Sequence, residues 1–143
     1  MKLRNIRKDA GKSLGGVWWD FERGDRVDTP NDKLCLLIAE DGNPQHRDAE
    51  ARLRLQFYTE LRAGGERAKA AYKQISARAR AEAILLGWAN MEDDDGTPIV
   101  YSVEKAAELL LDETLWGLGR FVEDVSRAAS IYSADQEVKA KGN

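Results

Sequence analysis

The chain has 143 residues, of which 43% are hydrophobic and 33% are charged, and its formal net charge is only -3. This length fits a single domain that can bury a core without a staple. The balanced charge gives no overall attraction to nucleic acid or to an anionic membrane. Cys35, the only cysteine, excludes an internal disulfide, and its apolar surroundings predict a buried, unreactive thiol.

The N-terminus predicts a cytosolic protein with a flexible leading segment. Residues 1–16 are basic and polar, and no apolar core of the kind that a secretory signal needs follows them. No stretch approaches the roughly 20 apolar residues of a membrane span. We therefore expect residues 1–16 to form a flexible basic arm, with a loosely held first strand as the alternative.

Two apolar segments have the composition of β-strands. The first covers residues 17–21 and ends at an Arg-Gly-Asp turn, and the second covers residues 33–39. Pro30 in the polar connection disfavours a central strand position there, and the two segments are predicted to pair antiparallel. Two strands alone are marginally stable, so a helix must cover them or a third strand must join.

About four helices follow these strands. Asn43 and Pro44 predict the start of a helix over about 44–62. A second helix over about 66–86 carries an apolar face formed by Ala68, Tyr72, Ile75, Ala79, Ala83 and Leu86. Ser102 is expected to cap a third, short helix, and Asp112 is expected to cap a fourth over about 113–132. The inner face of the last helix is predicted to contain Leu115, Leu118, Val122, Val125, Ala129 and Tyr132.

An acidic turn separates the second and third helices. Asp95-Gly96 is a strong turn signal, which predicts a hairpin-like turn over residues 88–101. The polar tail, 133–143, is predicted to be disordered. Together these patterns predict an α+β fold, in which one domain over 17–132 packs a small antiparallel β element against a mainly helical C-terminal part.

The sequence contains no recognisable set of catalytic or metal-binding residues. His46 is the only histidine, and we expect it to be a solvated surface residue. A Cys–His catalytic pair would have to combine it with Cys35, and Cys35 is expected in the core. A zinc cluster, a calcium-loop spacing and a phosphate-binding glycine motif are all missing. We therefore expect a protein that is not an enzyme and has no cofactor or metal.

The helices between residues 47 and 80 are rich in arginine and lysine. Glutamates alternate with these basic residues along the same helices. This mixture predicts a solvated face more than a nucleic-acid site.

The segment from Leu86 to Ser102 resembles a segment of the tail assembly chaperones of long-tailed (siphovirus-like) phages and prophages. It has Leu-Gly-Trp, then an acidic Asp-Gly turn, then Thr-Pro-Ile-Val-Tyr-Ser at the start of a helix. The similarity continues through the leucines at 109–111 and through Phe121-Val122. As a pattern of residue types, it covers most of residues 17–132.

This resemblance implies a protein that binds the tape measure protein and keeps it soluble until tail tube subunits polymerise around it. It also implies a longer, frameshifted product that recruits tail tube protein. Copies of the chain are expected to self-associate. The place of action would be the cytoplasm of the bacterial host, and the protein would be absent from the mature virion.

Six aromatic residues are candidate contacts for a protein partner. Three are expected at a strand edge and three near the turn region; in order, these are Trp18, Trp19 and Phe21, then Trp88, Tyr101 and Trp116. A core position is the stronger expectation for the last three. Two other functions stay open: a head–tail connector or tail terminator component of the virion, and a nucleic-acid-binding regulator.

Overall fold

The computed structural model describes residues 2–3 and 7–133. Its sheet consists of β1 (Val17–Asp20), β2 (Asp25–Val27), β3 (Cys35–Ile38) and β4 (Leu85–Ala89). Its helices are α1 (Ala10–Gly15), α2 (Pro44–Gln56), α3 (Tyr58–Ala63), α4 (Gly65–Ala83), α5 (Val103–Leu111) and α6 (Trp116–Ser126). Two short 3-10 helices span Glu113–Leu115 and Ala129–Tyr132. The predicted α+β class is confirmed.

The sheet is antiparallel throughout, with the strand order β2-β1-β3-β4. The predicted pairing of β1 with β3 is confirmed, and Trp19 lies opposite Leu36. Strand β2 was not predicted, because its three residues are short of apolar character. It pairs with the outer side of β1, so the predicted strand-edge position of Trp18 and Trp19 is wrong, and Phe21 follows the end of β1.

Strand β4 replaces the predicted end of the second helix. Helix α4 stops at Ala83, and Leu85–Ala89 pairs with β3 instead. Leu86 continues the helical spacing of the apolar face after Ala83, which is why the pattern predicted a helix to residue 86. Pairing with β3 wins because it buries Ile84 and Leu85 completely between the sheet and the helices.

Helix α4 is the centre of the helical part. It packs against α2 and α3 on one side and against α5 on another. The larger core lies between the sheet, α5 and α6 and includes Leu36, Ile38 and Val122. Alanines in α4 allow this close approach of several neighbours, since they add little bulk at each contact. None of the helices in residues 2–3 and 7–133 is both long and apolar enough to span a membrane.

Two of the predicted helices, over 44–62 and over 113–132, are interrupted in the structure. The predicted helix over 44–62 breaks at Phe57, whose backbone leaves the helical region (φ -99°, ψ 18°). The predicted helix over 113–132 becomes a 3-10 turn, α6 and a second 3-10 turn. The predicted caps are confirmed: the Asn43 side chain accepts from the His46 N–H, and the Ser102 hydroxyl accepts from the Lys105 N–H.

His46 is buried, which corrects the expectation of a solvated residue. Its Nδ1 accepts a hydrogen bond from the Gly42 N–H at 2.9 Å. The imidazole Nε2 therefore carries the proton of the neutral ring and lies 3.2 Å from a Glu50 carboxylate oxygen. The ring thus closes the turn that precedes α2.

The acidic turn is closed as predicted. The Ile99 N–H donates to the Met91 carbonyl at 2.8 Å, and the Asp93 N–H donates to the Thr97 carbonyl at 2.9 Å. Gly96 adopts φ 83°, a conformation that favours glycine. The residues therefore form a hairpin-like projection beyond β4.

Within the predicted basic arm, residues 10–15 form helix α1, with Asp9 capping its start. The Asp9 N–H also donates to the Tyr132 carbonyl at 3.0 Å, which joins the two ends of the described chain. The predicted disordered tail, 133–143, lies outside the described residues except for Ser133.

Asp20 makes the stability of the fold depend on pH in the acidic range. This residue is 1% exposed, and its carboxylate accepts hydrogen bonds from the Arg23 N–H at 3.1 Å and from the Asn31 amide at 3.1 Å. The Arg23 N–H is the main cause that lowers the pKa of Asp20 below its ordinary value, and Asn31 adds to the effect despite the opposing cost of burial. A lowered pKa in the folded state means that stability is present above the unfolded pKa and is lost as pH falls through the folded one.

We expect Asp20→Asn to be less stable than the wild type at pH 7, with the difference shrinking as pH falls below about 4. Urea unfolding at pH 7, 5 and 3 measures this difference. Asp28→Asn is the matched control, because Asp28 is exposed. A difference between Asp20→Asn and the wild type that is the same at pH 7 and pH 3 would contradict the assignment.

Candidate protein-binding surface

One groove on the helical side combines exposed aromatic side chains with an apolar floor. We call it the Trp116 groove. It lies between α4, the end of α5 and the start of α6. Its lining residues are Tyr72, Lys73, Ser76, Ala77, Arg80, Leu110, Leu111, Asp112, Glu113, Trp116 and Gly119. Trp116 is 70% exposed and Tyr72 is 51% exposed, which is high for side chains of this size.

The turn between α5 and α6 determines the position of Trp116. The Asp112 carboxylate accepts hydrogen bonds from the backbone N–H and the hydroxyl of Thr114 at 2.9 Å and 2.6 Å. These bonds, led by the hydroxyl, lower the pKa of Asp112. The capped turn starts a 3-10 helix and then α6, so that Trp116 begins α6 at the surface. The expected core position of Trp116 is therefore wrong.

Tyr72 forms the opposite wall of the groove. It precedes Lys73 on α4, and Ser76, Ala77 and Arg80 follow on the same face at helical spacing. The guanidinium of Arg54 lies 5.9 Å from the centre of the Tyr72 ring, within the range of a cation–π contact. The sequence pattern assigned Tyr72 to the buried face, whereas the buried stripe of α4 runs through Ala71, Ile75 and Ala79.

The two long edges of the groove carry opposite charges. Lys73 and Arg80 lie on α4, and Asp112 and Glu113 lie on the α5–α6 turn. One ion pair joins the edges directly, with the Lys73 ammonium 3.1 Å from Glu113, and both side chains are largely exposed. Exposed pairs of this kind contribute about 0–1 kcal/mol, so a charged partner can replace them at low cost.

Trp88 and Tyr101 have a structural position. Their rings meet edge to face at 4.9 Å. The Trp88 N–H donates to the Ile99 carbonyl at 2.7 Å, and the Tyr101 hydroxyl contacts the carbonyls of Ala81 and Leu85 at 3.0 Å and 2.7 Å. Burial raises the pKa of Tyr101, with a smaller contribution from the charge of Glu104. This pair fastens the hairpin-like turn to the end of α4, as the core expectation proposed.

The aromatic residues in and directly after β1 form a second group, far along the chain from the others. Trp19 and Phe21 pack against the main core and meet Phe121 edge to face at 6.3 Å and 5.1 Å. The Trp19 indole N–H is buried without a hydrogen-bond partner among the described residues. Trp18 is half-buried and points to the other face of the sheet. The structure therefore does not bring the six candidate aromatics together.

The remaining charged surface is mixed. Many of the basic side chains on α2, α3 and α4 have acidic or aromatic neighbours: Arg52 pairs with Glu82, Lys69 pairs with Glu66, and Arg62 lies over Tyr58. No group of three histidine, cysteine, aspartate or glutamate side chains is arranged to hold a metal ion within residues 2–3 and 7–133. Cys35 is fully buried, as expected.

Two features of the groove could have been found in the sequence. Two glycines, at 117 and 119, follow Trp116 at the start of a helix. Glycine is unfavourable there, so this pair indicates a surface where small size matters more than helix stability. The alanines at 71 and 79, rather than Tyr72, also fit the i, i+4 spacing of Ile75. The groove itself depends on the break after Leu111, which the sequence shows only as a cap.

Comparison with known proteins gives one family. Residues 41–143 match a family model described as YdaY prophage protein. No curated protein and no solved structure matches the chain. The matched range includes every residue that lines the Trp116 groove.

Proposed function

Because the chain belongs to the YdaY prophage protein family, we propose that it is a tail assembly chaperone that binds the tape measure protein and keeps it soluble. Prophage membership supports a role in the phage life cycle, and the resemblance of residues 86–122 to tail assembly chaperones supports this particular role. In this proposal the protein acts by binding and has no catalytic activity, cofactor or metal.

The observation that carries the proposal is the Trp116 groove. Binding energy at protein interfaces concentrates in a few aromatic and arginine side chains that close on a partner. Trp116 and Tyr72 offer such anchors on either side of an apolar floor formed by Ala77, Leu110 and Leu111. A groove between helices suits a helical segment that presents an apolar stripe.

The proposed partner has the matching physical problem. A tape measure protein is a very long, largely helical chain, and bare apolar stripes on such helices lead to aggregation. Several copies of this protein along the tape measure would cover those stripes. Tail tube protein would then displace them, recruited by a longer frameshifted form of the chaperone. We place these events in the cytoplasm of the bacterial host, with the chaperone absent from the mature virion.

Co-expression with the tape measure protein of the same prophage tests this function. We expect the tape measure protein to become soluble and to co-purify with the tagged chain. Trp116→Ala should weaken this binding by about 2 kcal/mol or more, roughly a 30-fold rise in Kd, because it removes a central anchor. The melting temperature should stay nearly unchanged, since Trp116 is 70% exposed.

Tyr58→Ala is the control for this test. Tyr58 is 54% exposed on α3, outside the groove, so its loss should leave binding unchanged. A tape measure protein that stays insoluble while the chain forms a stable ring would favour a connector or tail terminator. Salt-dependent DNA binding without tape measure binding would favour a nucleic-acid regulator.

A further inference from the structure

Helix α6 contains two glycines for which the fold gives no packing reason. Gly117 and Gly119 lie in the first turns of the helix, and a Cβ atom added to either would meet no other atom within 4 Å. Neither has a positive φ that would call for glycine. Glycine in a helix costs up to about 1 kcal/mol relative to alanine, so an empty space at such a site needs an explanation outside the fold.

Only one of the two glycines faces the Trp116 groove. Gly119 lines the groove three residues after Trp116, on the same side of the helix, whereas Gly117 does not line it. The missing side chain leaves a notch in the groove wall beside the indole. Ala77 and Leu110, which form part of the apolar floor, line the same groove.

We propose that the Gly119 notch is a socket for a large apolar side chain of a partner helix, and that this helix carries acidic residues along one flank and basic residues along the other. This inference rests on the proposed function, and its occupant is an amphipathic segment of the tape measure protein. Seating a side chain beside Trp116 requires the close backbone approach that glycine alone permits.

The charges on the groove edges determine the chemistry of the flanks. Lys73 and Arg80 line the α4 edge, and Asp112 and Glu113 line the other edge. Arg80 already lies 3.7 Å from the Glu123 carboxylate, and Lys73 is the more exposed cation. A helix in the groove meets cations on one side and anions on the other. Acidic residues facing α4 and basic residues facing the turn would therefore take over the Lys73–Glu113 ion pair. A helix with two basic flanks would meet repulsion along the α4 edge.

The test uses the full-length protein and a synthetic amphipathic peptide of about 20 residues, long enough for a 30 Å helix. The peptide has a leucine and phenylalanine stripe, a glutamate flank and a lysine flank. Calorimetry compares Gly119→Leu with Gly117→Leu. Both changes replace glycine by a good helix former, so both should hold or raise the melting temperature. Gly119→Leu should nevertheless weaken peptide binding more than about tenfold, and Gly117→Leu less than about twofold, because only the first fills the notch.

Three outcomes would overturn the inference: no peptide binding by the wild type, equal binding by both glycine variants, or equal affinity for a second peptide with lysines on both flanks. Tape measure binding is measured separately by co-expression. Tape measure binding that Gly119→Leu leaves intact would overturn the socket but preserve the chaperone function. A Gly119-dependent peptide complex without tape measure binding would remove the chaperone function and the tape measure protein as the occupant, and it would preserve only the socket for an amphipathic helix.

Discussion

Replacing Asn43 by alanine is expected to lower the free energy of unfolding by about 3–4 kcal/mol. Asn43 is 4% exposed and joins three parts of the fold. Its side-chain oxygen accepts from the His46 N–H at 2.9 Å, which caps α2. Its amide donates to the carbonyls of Glu40 at 2.8 Å and Ala83 at 3.1 Å, at the ends of β3 and α4. Alanine removes the cap, and the carbonyls of Glu40 and Ala83 lose the amide donor.

Ser102→Ala provides the control for the cap alone. Ser102 caps α5 with one bond from its hydroxyl to the Lys105 N–H at 3.0 Å and makes no comparable contacts to other elements. Its loss should cost about 1 kcal/mol. Chemical denaturation of both variants separates the cost of a cap from the cost of the bonds between elements. Equal effects at Asn43 and Ser102 would show that the bonds to Glu40 and Ala83 contribute little.

Asn43→Asp tests the same geometry in the opposite way. Aspartate is as good a cap as asparagine, so the bond from the His46 N–H is preserved. Its second oxygen would face the carbonyls of Glu40 and Ala83 where an amide donor stood. At pH 7 this variant should therefore be at least as unstable as Asn43→Ala. A variant as stable as the wild type would refute the role of the amide.

Asn43 also illustrates what the sequence can and cannot predict of the fold. The Asn-Pro pair predicts a helix start from local chemistry alone, and the structure confirms it. The bond to Ala83 joins residues 40 positions apart, so no local pattern contains it. The same limit explains β4: Leu86 fits the helical spacing of the preceding residues, and only the neighbouring β3 makes a strand the better arrangement. The burial of His46 likewise depends on its contacts with Gly42 and Glu50. Local polarity alone predicted that His46 would be in solvent.

For the candidate site, the sequence predicted which residue types to examine but not where they lie in the fold. Aromatic residues were identified correctly as the side chains to examine, and Trp116 was among them. Its exposure was not predicted, because a tryptophan near a helix start is usually packed. Trp88, by contrast, occupies the half-buried position that its apolar setting indicated, with its N–H bonded to Ile99. The difference lies in whether another element covers the ring, which is a property of the tertiary fold.

Replacing Tyr132 by alanine is expected to cost about 4 kcal/mol and to lower the melting temperature by about 10 °C or more. Tyr132 is fully buried, near the C-terminal limit of the described chain. Its hydroxyl contacts the carbonyls of Ile38 and Ala39 at 3.0 Å and 3.3 Å. Removing the ring leaves a cavity beside β3. Trp116→Ala removes a larger but exposed side chain and should change stability by only about 0.5 kcal/mol, which makes it the matched control.

Tyr132→Phe separates the hydroxyl from the ring. It should cost about 1–2 kcal/mol at pH 8, because the ring still fills the core while the two carbonyls lose a donor. Burial, with a smaller contribution from Glu40, raises the pKa of the Tyr132 hydroxyl. Its stabilisation is therefore complete below the unfolded pKa of about 10 and is lost as pH rises through the folded value. The gap between the wild type and Tyr132→Phe should narrow above pH 10, and a constant gap would contradict the buried hydroxyl.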